Sequence, residues 1–151
     1  MIERRLVTNA LTSLLGTATS LPVGKGVLPA GAANATAYYV LTPLDSSLSG
    51  AFYADMNEDL SLVVQVTSVS APDKTRPGSA GTLEQAEGLA DKARTAFLSR
   101  HPTTGQWTNA LTVPSVRCMC RELETEPGAM NDPADGIISY VQRFRFDLTP
   151  A

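Results

Sequence analysis

Six groups of residues have types from which chemistry is made. The run "DMNEDL", from Asp55 to Leu60, opens like a calcium loop, with oxygen donors at alternate positions. Such a loop needs glycine at its sixth position and a bidentate glutamate at its twelfth. Leu60 and Val66 stand there instead, and both belong to the most strand-like run in the chain, so a solvated acidic turn is expected. His101 is the only histidine. A catalytic imidazole needs a serine or cysteine and an acid converging on it. Placed between an apolar-periodic segment and Pro102, it is better read as bonding the last carbonyls of a helix. The Gly-Lys-Gly in "LPVGKGVLPAG" has neither the phosphate-loop spacing nor the dinucleotide fingerprint.

Cys118 and Cys120 stand two apart in "VRCMCRE". On a regular strand they point to one face about 7 Å apart, too far for an unstrained disulfide. One histidine leaves no second pair for a zinc site, so two reduced thiols on an apolar face are expected. Arg143 and Arg145, with Arg117 and Arg121, read as a basic strip on the outer face of a sheet. They are either solvated or salt-bridge partners for an acidic neighbouring subunit. Trp107, the single tryptophan, sits in a loop, either folded back on the core or anchoring an interface. None of these groups makes a reaction centre, and no cofactor or metal is expected.

The chain has 151 residues, 43% hydrophobic and 18% charged, which suits one globular domain spanning 1–151. A net charge of −3 argues against a dedicated nucleic-acid binder. The opening "MIERRLVTNALTSLLG" is interrupted by Thr8, Asn9, Thr12 and Ser13, too polar for a secretory core. No run approaches the roughly 18 apolar residues of a membrane span, so a soluble protein without a membrane partner is expected.

Apolar spacing predicts a first helix over residues 2–15, with Ile2, Leu6, Ala10, Leu11, Leu14 and Leu15 on one stripe and Gly16 as its stop. Gly16–Ala37 reads mostly as loop, with short extended pieces near Pro22–Val23 and Val27–Leu28. A strand follows in "AYYVLTPL", ended by Pro43, and Phe52 and Tyr53 offer a possible extension. In "LSLVVQVTSVS", Leu60, Leu62, Val64 and Val66 share one face while Val63 and Val69 add apolar area to the other, which suits a central strand.

After the loop "APDKTRPGSAG", Thr82 and Gln85 form a capping-box pattern. Leu83, Ala86, Leu89, Ala90, Ala93, Ala96 and Phe97 make the stripe of a second helix, with Glu84 and Glu87 near its start, Arg94 and Arg100 near its end, and Pro102 beyond. Pro114 marks the next strand, "ALTVPSVRCMCREL", as an edge or bulged one. Glu124–Gly136 reads as loop. In the final strand, Ile138, Tyr140, Phe144, Phe146 and Leu148 face one way and Arg143, Arg145 and Asp147 the other. The expected fold is α+β: a single, mainly antiparallel β-sheet with two helices packed on one face, and long loops.

The order of these elements, and above all "VVQVTSVSAPDKTRPGSAGTLEQAEGLADKARTAFL", resembles the tail terminator (tail completion) proteins of long-tailed bacteriophages, those of actinobacterial phages in particular. The resemblance covers most of residues 2–148 and rests on packing motifs. It implies a structural virion subunit, not an enzyme, made in the host bacterial cytoplasm. Six copies would close a ring at the head-proximal end of the tail tube, ending tube polymerisation and meeting the head-completion (stopper) protein. DNA would pass through the lumen without being read, and a mildly acidic channel agrees with that.

Related stopper and tail tube proteins also build rings from small β-rich subunits, so the layer of the neck stays open. A small enzyme or ligand-binding domain is the contrasting reading, and it would need convergent polar groups. Long loops in a compact domain are uncommon unless functional. The interface residues expected are therefore Asp73, Lys74 and Arg76 in the loop before the second helix, Trp107, and Arg143 and Arg145.

Overall fold

In the computed structural model, residues 2–49 and 58–151 are described. The elements run α1 (Arg4–Thr19), β1 (Val23–Lys25), β2 (Ala37–Ser49), β3 (Asp59–Ser70), α2 (Leu83–Leu98), β4 (Val116–Asp132) and β5 (Ile137–Pro150). The strands form one sheet in the order β1-β2-β3-β5-β4. Only the β1–β2 pair is parallel. The α+β architecture expected from the sequence is therefore the one observed. The reading of Asp55–Asn57 as an acidic turn, and of Phe52 and Tyr53 as strand, falls outside the described residues.

β3 is central, as its two-sided apolar pattern requires, and its register against β5 runs unbroken from Leu60–Leu148 to Ser70–Ile138. That register places Leu60, Leu62, Val64 and Val66 beside Phe144, Phe146 and Leu148 on one face, all buried. Both helices cover that face. Val7, Leu11 and Leu15 of α1 and Leu89, Ala93, Ala96 and Phe97 of α2 complete the core. The Phe97 ring meets Phe144 and Phe146 edge-on, with centroids 5.1 and 5.3 Å away. Leu83, placed on the apolar stripe of α2 by its spacing, is 46% exposed, whereas Ala86, three residues on, is fully buried.

Two expected loops contain regular structure. Gly16 does not stop α1. The helix runs to Thr19 and closes on Ser20, whose φ of 57° is the left-handed cap and whose N–H bonds Gly16 O. β1 follows and pairs with β2 only as far as Leu41, so Pro43 lies beyond that pairing and does not end β2. At an edge, a residue without an N–H forfeits no ladder bond. The second, Glu124–Gly136, is the far half of β4 and its turn into β5. The register of β4 against β5 shifts three times, twice at or within this half, and Gly128, at φ +92°, supplies a backbone angle that other residues avoid.

The β4–β5 turn docks on the entry to α2. Gly81 N–H donates to Gly136 O at 2.7 Å. A Cβ at Gly81 would lie 2.0 Å from Ser70 O, so only glycine fits between the end of β3 and that turn.

Candidate functional site

The residues singled out by type do not converge. Asp73, Lys74 and Arg76 lie in the segment between β3 and α2, which closes on itself. Asp73 Oδ1 accepts from Thr75 N–H at 2.9 Å and from its hydroxyl at 2.7 Å. Asp73 O accepts from Arg76 N–H and Ser79 Oγ. The two bonds from Thr75 hold the Asp73 carboxyl below the usual carboxylate range. Arg76 Nε stands 3.8 Å from Asp73 Oδ2, and Lys74 is exposed. The loop thus presents a preformed turn with an exposed lysine that makes no ion pair among the described residues.

The basic strip is split. Arg143 and Arg145 lie on the face of β5 away from the helices, as expected. Their first partners are in their own chain: Arg145 bonds Glu122 at 2.8 Å and faces Asp147 at 3.5 Å, while Arg143 Nε donates to Gln65 Oε1. These pairs are partly solvated, so they contribute only about 0–1 kcal/mol each.

Arg121 is not on that face. The ladder slips between Cys118, opposite Leu148, and Cys120, opposite Asp147. An extra residue in a strand inverts the alternation beyond it. Cys120 therefore turns to the outer face, and Arg121, opposite Phe146, turns to the core face and is 5% exposed. The expectation of two thiols on one face is corrected by the same bulge. Both cysteines are free. Burial pushes the Cys118 thiol up, an effect the neighbouring Arg121 guanidinium opposes.

Arg121 takes the role the sequence suggested for His101. Its Nη1 donates to Phe97 O, in the last turn of α2, at 3.1 Å, and to Asn109 O at 2.9 Å. Asn109 Nδ2 bonds Ala96 O, the neighbouring carbonyl. His101 instead accepts from Thr103 N–H through Nδ1 in an exposed turn beyond the helix. Arg100 also lies past the end of α2, and Arg94 pairs with Asp91. Trp107 folds back onto its own chain, with the Arg100 and Arg121 guanidinium carbons 4.0 and 4.7 Å from its ring centroid. These are cation–π distances.

The remaining surface features are the sheet edges. β4 forms one edge. On the other side β1 covers β2 only to Leu41, so Thr42–Ser49, paired with β3 on its inner side, has no strand on its outer side among the described residues. Each edge carries exposed apolar side chains, Leu44 and Leu48 on β2 and Met119 and Met130 on β4. Among the described residues no group of three or more His, Cys, Asp or Glu could hold a metal, and no helix is long and apolar enough to cross a membrane.

No family model and no curated protein matches the chain. Among solved structures it is similar to a chain in "Virion of native gene transfer agent (GTA) particle", with a TM-score of 0.58 and 16% identity over 92% of this chain and 84% of that one. At that identity the likeness is one of fold, and it extends over nearly the whole chain.

Proposed function

We propose that the protein is a structural virion subunit: a tail terminator that closes into a ring at the head-proximal end of a phage tail tube. The observation that carries this reading is the fold shared with a chain of a virion particle along 92% of the sequence. The resemblance of "VTSVS" and "AEGLADKAR" to tail terminators supplies the finer assignment. The two sheet edges agree with it. Unlike apolar edges on opposite sides of one subunit suit head-to-tail contact, and such contact closes a ring when the rotation permits. In this assembly the ring ends tube polymerisation, contacts the tail tube protein below and the head-completion protein above, and passes DNA through its lumen. Asp73, Lys74 and Arg76, with Arg143 and Arg145, are the polar contacts proposed at its surfaces.

The test is the solution mass of the purified chain over a wide concentration range, with negative-stain images of the same samples. A closed ring of about six copies is expected. A strict monomer that is also missing from purified virions overturns the reading.

A further inference from the structure

At the start of β4 an open cavity of about 520 Å³ lies against the sheet edge, lined by Trp107, Leu111, Val116, Arg117, Cys118 and Arg121. Its walls are more apolar than polar, and its charged side chains, Arg117 and Arg121, are of one sign. Neither Arg117 nor Arg121, nor Arg100 on the Trp107 ring, makes an ion pair among the described residues. Arg121 spends Nη1 on two carbonyls, while its buried Nε has no hydrogen-bond partner among the described residues. A buried N–H left unmade costs about 1–3 kcal/mol, so the Nε side of this guanidinium has bonding capacity to spare. The planar fork of arginine matches a carboxylate with two parallel bonds.

The second observation is the strand beside it. Val116 N–H bonds Val113 O, but beyond it β4 pairs only with β5 among the described residues, so its outer edge from Arg117 on offers backbone N–H and C=O groups to an extended chain. We propose that this corner docks an extended acidic segment of another protein. The segment pairs along the start of β4 and sets a Glu or Asp carboxylate against Arg121, with Arg117 at the mouth and the Trp107 ring as the wall. Charge complementarity selects the acid, and the open edge selects an extended backbone over a free small molecule. The inference does not depend on ring formation.

Trp107 is the only tryptophan, so its emission reports on this site alone. The folded full chain is titrated with the capped pentapeptide Thr-Val-Glu-Val-Thr and with its Gln counterpart. A saturable emission change is expected with the Glu peptide, about tenfold weaker binding with the Gln peptide, and loss of the response in Arg121→Met. In Arg117→Gln, an exposed change that leaves the core intact, binding weakens about threefold. That variant decides the matter if Arg121→Met does not fold. Equal binding of the two peptides, no saturable response by about 10 mM, or undiminished Glu-peptide binding in a folded Arg117→Gln overturns the site. Sodium acetate acting as strongly as the Glu peptide overturns the extended segment, and inorganic phosphate doing so overturns the carboxylate.

Discussion

Arg121 Nη1 lies 3.1 Å from Phe97 O, so a strand residue closes the last turn of the helix that packs above it. The helix end is the negative pole of its dipole, and a buried cation there is both bonded and electrostatically compensated. Arg121→Ala strands the carbonyls of Phe97 and Asn109 and is expected to cost about 2–4 kcal/mol. Arg121→Lys should recover part of that, because an ammonium reaches a carbonyl but does not stack on Trp107. His101→Ala should change stability by no more than about 0.5 kcal/mol. Urea unfolding followed by far-UV circular dichroism measures all three. A His101 effect as large as that of Arg121 would sink the assignment.

The capping box of α2 is completed through a third residue. Thr82 Oγ1 accepts from Gln85 N–H at 3.2 Å, as the spacing predicts. Gln85 does not reach back to Thr82 directly: Thr82 N–H donates to Ser70 Oγ at 3.0 Å, and that hydroxyl donates to Gln85 Oε1. Ser70 is fully buried at the end of β3, so the relay ties strand to helix. Ser70→Ala should cost about 1–3 kcal/mol and Gln85→Ala about 1 kcal/mol. The double variant should cost less than their sum, since both break one network. Strict additivity in denaturation midpoints would show that the relay does not act as a unit.

What the sequence made legible follows the regularity of its pattern. β3 and β5 alternate without interruption against each other, so their core faces could be read directly from Leu60 to Val66 and from Phe144 to Leu148. α2 carried its own start signal in Thr82. The misreadings sit where one residue carries two meanings. Pro127 and Gly128 look like loop, yet on an edge strand a proline is tolerated and a glycine absorbs the bulge. Gly16 looks like a stop, yet it lies within α1, close to Val23. Arg121 was misplaced because one inserted residue between Cys118 and Cys120 reverses the parity as far as Leu123, where the register slips again. The one signal available was Leu123, an apolar residue in phase with Arg121.

That reversal can be tested on the cysteines. With Cys118 toward the core, where burial pushes its thiol up, and Cys120 on the opposite face, a thiol reagent should modify the folded chain faster at Cys120 than at Cys118. Tandem mass spectrometry of the peptide that carries both gives the two rates. Equal rates would mean that the two thiols share one environment, as they would on a regular strand.

The packing of α2 on the sheet rests on Phe97 against Phe144 and Phe146. Phe144→Ala or Leu62→Ala leaves a cavity under the helices that neighbouring side chains cannot fill, at a cost of about 2–5 kcal/mol. Lys74→Ala, at an exposed position, should leave the unfolding midpoint within about 0.5 kcal/mol of the parent. In the assembly proposed above, Lys74→Ala should lower ring yield in sedimentation while folding is intact. A core variant with native stability would sink the packing argument, and full ring yield for Lys74→Ala would remove this loop from the interface.

Tyr39 makes the core sensitive to alkali. Its side chain is fully buried on β2, and its hydroxyl donates to Leu89 O of α2 at 2.7 Å. Burial pushes the phenol well above its ordinary value of 10.0. A folded-state value above the unfolded one means that the contribution of this group is fully present below about pH 10. It is then lost progressively as pH rises, because the unfolded chain ionises first and is stabilised by doing so. Tyr39→Phe removes the hydrogen bond and should cost about 1 kcal/mol at pH 8. It also removes the ionisation, so the deficit should shrink as the buffer passes pH 10. Other groups leave a residual slope in the variant, among them Tyr140, which burial and the charges of Glu126, Glu87 and Asp91 also push up. Urea midpoints between pH 8 and 11 give both curves, and parallel curves would exclude Tyr39 as the source of the alkaline loss.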